Sequence, residues 1–259
     1  PGHATTLSPP TPSHLLILTV GTGTRGAHSN LAQGLVNTLA QLQPRAFWLV
    51  PSASPESVAV AELVCDSAPP ECAFQPWAAS APFRCIAQPD DLFDCRAVLR
   101  EVLQTARTRL RSAERLLVNP TSGTKQMSVG ATLAALDEEI GEIVFTVGER
   151  ADGVVRTGTE RMAAFETRQF FLERDLRAAK ELFAAGAFLA AATLLRQYDT
   201  PLASQARHKA LCLHEWQRLN HEQATSHAAR FDQSLCAHLK ALATTDAFGH
   251  QRLGDLLAS

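Results

Sequence analysis

The chain has 259 residues, of which 46% are hydrophobic and 19% are charged, a composition typical of a soluble globular protein with one or two domains. Its formal net charge of −2 argues against a broad basic surface for duplex nucleic acid, although a small pocket for a few phosphates is compatible with that charge. No apolar run approaches the roughly 18 residues of a membrane span.

Residues 1–13 are rich in Pro, Ser and Thr and lack the apolar segment of a signal peptide, which predicts a disordered leader. The six cysteines form no CxxC pair and have no zinc-type spacing. We therefore predict reduced thiols in a cytoplasmic protein, without a metal site.

The segment from residue 14 to about residue 150 alternates apolar strand-like runs with helical patterns, which predicts an α/β domain with a mostly parallel sheet. Strands are expected at 14–20, 46–50, 83–87, 115–118 and 142–147. Helices are expected at 30–42, 55–64, 90–110 and 127–137. An Asp-Gly pair at 152–153, between β-prone residues, predicts a hairpin.

Only helical patterns occur after about residue 165, so we place the domain boundary between residues 167 and 168. The segment that begins at Leu182 recurs loosely 33 residues later, where Trp216 corresponds to Phe183 and Ala224 to Ala191. This offset is close to the 34-residue period of TPR helical hairpins. We therefore predict an α/β domain over 14–167 and an all-α, TPR-like domain of helical hairpins over 168–259.

A run of small and polar residues links the strand at 115–118 to the following helix: Asn119, Pro120, Thr121, Ser122, Gly123, Thr124 and Lys125. Open α/β sheets bind ligands beyond the carboxyl ends of their strands. A helix start offers free backbone N–H groups that favour phosphate. A tight turn with Thr124 as N-cap explains part of the run but not a sequence of ligand-like residues that ends in a lysine. We therefore predict a binding loop for phosphate or ribose.

The first strand leads into a second glycine loop, GTGTRG at 21–26, which matches the GxGxxG pattern. A dinucleotide site would need a carboxylate after the second strand, where the chain has only PSAS at 51–54. A nicotinamide or flavin cofactor is therefore not expected. We predict that this loop contacts the same ligand as Lys125, through Thr22, Gly23, Thr24 and Arg25. Arg25 is equally compatible with a solvated loop residue.

A magnesium-nucleotide site of the P-loop type also fits poorly. The lysine of that pattern follows a glycine and precedes Ser or Thr, whereas Lys125 follows Thr124 and precedes Gln126. The hydroxyl that would bind Mg²⁺ is therefore missing from its required place.

The segment LVNPTSGTKQMS, from Leu117 to Ser128, resembles the strongest motif of the CARF proteins, the CRISPR-associated Rossmann-fold sensors. That family has an Asn-x-Thr-Gly-Gly-Thr-Lys-x-Met-Ser-like stretch after its fourth strand, and Ser122 stands where glycine is commoner. The loop TVGTGTR at 19–25 resembles the family's other ligand-binding stretch. The likeness extends to about residue 165 and implies a Rossmann-like fold.

The resemblance further implies a homodimeric sensor of type III CRISPR antiviral defence that binds cyclic oligoadenylate, with the tetra-adenylate favoured, and uses no cofactor. The predicted ligand-binding residues are Thr22, Gly23, Thr24, Arg25, Asn119, Thr121, Ser122, Gly123, Thr124, Lys125 and Met127. Some family members slowly cut the ring without a metal. For such cleavage Lys125, Ser122 and Thr121 are the candidate catalytic donors, and no general base is obvious.

Two other functions stay open. The helical domain would suit an interaction adaptor, which should ignore cyclic oligoadenylate. Arg207 and His214 have six residues between them, which matches the Arg-x4–6-His motif of HEPN ribonucleases, an output domain that family members with this layout often carry. Such pairs also arise by chance, and the surface of a packing helix is the favoured interpretation here.

Overall fold

The computed structural model describes residues 14–23, 28–151, 154–155 and 158–241, and the chain forms two compact units. One unit ends at Thr167 and the other begins at Arg168. The predicted leader at 1–13 lies outside the described residues. Within the described ranges, no helix has both the length and the apolar character needed to cross a bilayer.

The first unit contains β1 (His14–Val20), β2 (Ala46–Pro51), β3 (Ala73–Phe74), β4 (Arg115–Asn119), β5 (Glu142–Val147), β6 (Arg150–Ala151), β7 (Val154–Val155) and β8 (Arg161–Glu166). Six strands form one sheet in the order β3-β2-β1-β4-β5-β8. Within this sheet only β8 runs antiparallel to its neighbour. The mostly parallel, Rossmann-like sheet predicted from the sequence is thus confirmed.

The helices of this unit are α1 (His28–Leu42), α2 (Pro55–Ser67), α3 (Leu92–Arg107) and α4 (Lys125–Asp137). Helices cover both faces of the sheet, and alternate residues of the central strand β1 therefore enter two different cores. Leu15 and Ile17 pack in the core that contains residues of α3 and α4. Leu16 and Leu18 pack in the core that contains residues of α1 and α2. This double burial explains why β1 is a continuous apolar run.

Several details differ from the sequence prediction. The strand expected at 83–87 is wrong, because only a single bridge, between Ser52 and Ile86, joins this segment to the sheet. The helix expected at 90–110 begins at Leu92, since the Asp91 side chain caps its first turn, and ends at Arg107. The strand β8 was not expected. Its largely exposed sequence RMAAFE lacks the apolar alternation of a strand, and it is held by its pairing with β5.

The predicted hairpin is present as the antiparallel pair β6 and β7. Its Asp-Gly turn at 152–153 lies outside the described residues.

The second unit is helical and contains α6 (Phe188–Leu194), a 3-10 turn (Leu195–Gln197), α7 (Pro201–Gln217) and α8 (His221–Ala228). The helix α5 (Thr167–Ala184) begins at the boundary between the units. Two turns in this region repeat each other at the 33-residue offset seen in the sequence. The N–H of Ala187 donates to Leu182 and that of Asn220 to Glu215, both at 2.9 Å. The TPR-like character of the unit remains a prediction.

Aromatic contacts follow the same offset. The rings of Phe183 and Phe188 meet edge to face with centroids 5.0 Å apart, and those of Trp216 and His221 with centroids 4.6 Å apart. Each pair closes the turn between two consecutive helices, so the internal repeat of the sequence corresponds to a repeated turn in the structure.

Candidate ligand-binding site

The two glycine loops leave the sheet side by side. β1 and β4 are parallel neighbours, with Leu18 paired to Asn119, as a ligand shared by the two loops requires. From β1 the chain continues through α1 to β2, and from β4 it continues through α4 to β5, on the opposite side. The loops therefore flank the point where the strand order reverses, which is the usual ligand-binding crevice of such sheets.

Gly21 and Gly123 bring the two loops into direct backbone contact. A Cβ atom at Gly21 would lie 2.6 Å from the Cα and 2.7 Å from the N of Gly123, so only glycine fits there. The N–H of Gly21 donates to Ser122 Oγ at 3.0 Å, and the Thr19 hydroxyl donates to the Ser122 carbonyl. These contacts hold the second loop against the end of β1.

A buried polar network supports the second loop from the opposite side. Asn119 Oδ1 accepts from the N–H of Thr121 at 3.0 Å, and its Nδ2 donates to Thr146 Oγ1 at 2.9 Å. Thr121 Oγ1 accepts from the N–H of Thr146 at 2.8 Å. The hydroxyl of Thr38, on α1, lies 3.2 Å from that of Thr146. The structure thus places Asn119 beneath the loop, with both polar side-chain atoms bonded within the protein.

Thr124 and Met127 fix the start of α4. The Thr124 hydroxyl accepts from the N–H of Met127 at 3.2 Å and donates to the Pro89 carbonyl. Met127 is fully buried, and a Cβ atom at Gly123 would lie 2.9 Å from its Sδ. Gly123 also has a φ of +115°, which favours glycine. Both side chains therefore shape the loop.

Lys125 is the first residue of α4 and is exposed to solvent. The Thr124 cap satisfies the N–H of Met127 only, so the N–H groups of Lys125 and Gln126 have no partner in the described part of the chain. Two free amides and an exposed cation at a helix start make this end of the site favourable for an anion.

A cavity of about 450 Å³ opens beside the two loops. Its wall is formed by Gly21, Thr22, Gly23, Asn30, Leu31, Gly34, Leu35, Thr38, Ser52, Ser54, Pro89, Thr121, Ser122, Gly123, Thr124, Met127, Thr146 and Glu160. The hydroxyls of Thr121 and Ser122 accept backbone N–H groups, which leaves the hydrogen of each hydroxyl available to a ligand.

The predicted site residues divide into three groups. Those in the cavity wall are Thr22, Gly23, Thr121, Ser122, Gly123, Thr124 and Met127. Asn119 and Lys125 belong to the same loop but are not part of that wall. Thr24 and Arg25 lie outside the described residues.

Glu160 is a wall residue that the sequence did not indicate. It precedes β8, and because β8 runs antiparallel to β5, it lies at the same edge of the sheet as the loops. The only signal is a polar stretch after the predicted hairpin, without a recognisable motif. Its position follows only once β8 is known to pair with β5.

Within the described residues, no group of three or more His, Cys, Asp or Glu side chains is placed to hold a metal ion. Arg207 and His214 both lie on α7, two turns apart, or about 10 Å along the helix axis. The Arg207 guanidinium donates to the Arg196 carbonyl at 3.4 Å, as expected of a residue on the surface of a packing helix.

Neither protein-family models nor curated protein sequences match the chain, whereas 48 chains of solved structures do. One of these is Csm6 of Enterococcus italicus bound to cyclic hexa-2'-fluoro-hexa-dAMP, with a TM-score of 0.58 and 11% sequence identity. The match covers 89% of this chain and 62% of that Csm6 chain. The chain therefore has a fold similar to that of this Csm6.

Proposed function

We propose that the chain is a cyclic oligoadenylate sensor of type III CRISPR antiviral defence, and that the ring phosphates bind where the loops after β1 and β4 meet. The observation that carries the proposal is this contact of two loops, through Gly21 and Gly123, beside a cavity at the strand-order reversal. The ligand of the structurally similar Csm6, a cyclic hexanucleotide, supports the ligand class.

The donors in the second loop and at the adjoining start of α4 suit phosphoryl oxygens. The hydroxyls of Thr121 and Ser122 retain their hydrogens, the amides of Lys125 and Gln126 are free, and Lys125 adds a full charge. Hydrogen bonds from such groups to an ionised phosphate are among the stronger ones in proteins. In this proposal Thr22 and Gly23 contribute contacts from the first loop.

The proposal includes a homodimer formed through the first unit. Val129 and Leu133 are 49% and 37% exposed, and they share one face of α4 with Lys125 because the three are spaced by four residues. A second copy seated on this face would cover the apolar side chains and bring two Lys125 residues to one ring. A two-fold axis suits a cyclic ligand made of repeated units.

Calorimetry with cyclic tri-, tetra-, penta- and hexa-adenylate tests the sensor function. The tetra-adenylate is the expected ligand, with one ring bound per two chains, and linear tetra-adenylate is the matched control. Light scattering should show the dimer. No binding of any ring would favour the interaction adaptor, and a monomer that binds one ring per chain would contradict the dimer.

Any catalysis by this site is expected to be slow, metal-independent ring cleavage. The ribose 2'-hydroxyl would lose its proton to water and its oxygen would attack the adjacent phosphorus. The bond from phosphorus to the 5'-oxygen would break, and that oxygen would take up a proton from water. Lys125, Ser122 and Thr121 would stabilise the charge on the phosphoryl oxygens. Incubation of labelled ring with the protein in EDTA measures this activity. In a parallel assay with single-stranded RNA, ring-stimulated cutting that His214→Ala abolishes would establish the HEPN alternative instead.

A further inference from the structure

Glu160 is an ionisable side chain buried in the cavity wall. Only 8% of its surface is exposed, and no Lys or Arg of the described residues forms an ion pair with it. Removing a carboxylate from water without a countercharge is costly. A buried acid in such surroundings therefore points to a role that a neutral residue could not fill.

The two carboxylate oxygens of Glu160 have different surroundings. Oε2 accepts from the N–H of Gly158 at 2.6 Å and from Asn37 Nδ2 at 3.4 Å. Oε1 has no hydrogen-bond partner among the described residues. It lies beside Gly34, because a Cβ atom added at Gly34 would be 3.5 Å from Oε1. Since Gly34 and Glu160 both line the cavity, Oε1 is an acceptor that is available to a donor of a ligand.

The chemistry of the cavity wall decides which part of a nucleotide meets this oxygen. Phosphates are repelled by a carboxylate and are attracted to the free amides at the start of α4. The wall near Glu160 includes Leu31 and Leu35 of α1, whose apolar side chains suit a base. A base that carries an amino group would complete the hydrogen bonding of Oε1.

We propose that Glu160 recognises adenine, by accepting a hydrogen bond from the exocyclic amine at Oε1. This inference rests on the proposed function, because it takes the ligand to be a cyclic oligoadenylate, and adds the residue that selects its base. Glu160 acts here as a specificity-determining residue.

The anchoring of Oε2 gives a sharp test through Glu160→Gln. The Gly158 N–H requires an acceptor, and the hydrogen bond from Gln33 to Asn37 Oδ1 at 2.9 Å keeps the Asn37 amino group turned toward Glu160. The glutamine oxygen must therefore take the place of Oε2, and its NH₂ group that of Oε1. The substitution replaces the acceptor in the cavity by a donor. This donor could not accept a hydrogen bond from the adenine amine, but it could donate one to a C6 carbonyl.

The experiment measures the dissociation constants of the ring that binds the parent protein and of the cyclic oligoinosinate of the same size, in which a carbonyl replaces each amine. The parent is expected to prefer the adenylate by at least tenfold, the lower end for a hydrogen bond to a charged group. In Glu160→Gln this preference should fall at least tenfold or reverse. Glu56→Gln, an equal change of charge at an exposed position of α2, should keep the parent's preference.

Each outcome separates this inference from the proposed function. If a folded Glu160→Gln protein binds the adenylate ring and keeps the parent's preference, the inference is overturned and the proposed function stands. Equal binding of both rings by the parent has the same consequence, and this result does not depend on the folding of a variant. A 2'-deoxy ring that the parent binds more weakly than the adenylate ring gives a further outcome. If Glu160→Gln removes this difference but keeps the preference over inosinate, Oε1 binds the ribose hydroxyl and the inference is overturned. If the parent binds no ring, the proposed function fails first.

Discussion

The first unit, which contains the sheet and is called the sheet unit below, and the second unit, called the helical unit, each bury a carboxylate. The surroundings of the two carboxylates differ. In the helical unit Asp175 is 3% exposed and accepts from the Tyr198 hydroxyl at 2.7 Å, from Gln197 at 3.1 Å and from Arg174 at 2.8 Å. In the sheet unit Glu160 uses one oxygen only and faces a cavity. A fully bonded buried acid stabilises a fold, whereas a half-bonded one in a cavity is available to a ligand.

The largest effect is expected from Gly21→Ala, which tests whether the sheet unit depends on the contact of its two loops. The new Cβ atom would overlap the backbone of Gly123, so the loops must separate. We expect ring affinity to fall at least a hundredfold and the free energy of unfolding to fall by about 1–3 kcal/mol. Gly141→Ala is the matched control, since its Cβ would meet nothing within 4 Å. Calorimetry and denaturant unfolding measure both quantities.

Lys125→Ala tests the proposed anion site at the start of α4. Loss of a charge-assisted hydrogen bond should weaken ring binding by about 1.5–3 kcal/mol, without a change in unfolding because Lys125 is exposed. Lys180→Ala removes the same charge from an exposed position in the helical unit and should leave affinity unchanged. A folded Lys125→Ala protein that binds as tightly as the parent would remove the lysine from the site.

Asp175→Ala should have the opposite profile to Glu160→Gln. The donors of Tyr198 and Gln197 lose their carboxylate partner, which should cost about 1–3 kcal/mol in the free energy of unfolding, while ring affinity is unaffected. Asp199→Ala, at an exposed position, should cost less than about 0.5 kcal/mol. Chemical denaturation followed by circular dichroism measures the loss. If Asp175→Ala weakened ring binding in a folded protein, the contrast between the two units would be wrong.

The smallest effect concerns pH and the helical unit. The Nδ1 atoms of His208 and His227 lie 3.1 Å apart. Burial lowers the pKa of both imidazoles, and the proximity of His227 further lowers that of His208. The unfolded state then binds protons first as the pH falls below about 6.5, so stability should be full above that pH and decrease below it. Thermal unfolding at pH 8 and pH 5.5 should show a smaller difference in His227→Gln than in the parent.

The sequence predicted the elements whose burial is strongest. β1 and β2 are apolar runs because both faces of the sheet are covered, and the small and polar run from Asn119 to Lys125 correctly predicted a strand-to-helix connection. Glu160 and β8 could not be predicted in this way. β8 depends on long-range pairing with β5 rather than on its own pattern, and a single glutamate has meaning only beside the cavity that other elements form.

The backbone contact between Gly21 and Gly123 has a consequence for binding kinetics. Because these two backbone positions are already in contact in the folded chain, they do not have to be brought together when a ligand arrives, and the entropy cost of that arrangement belongs to folding rather than to binding. Association should then proceed at a single rate without a slow rearrangement step, and differences in affinity among rings should appear mainly in how fast each ring leaves.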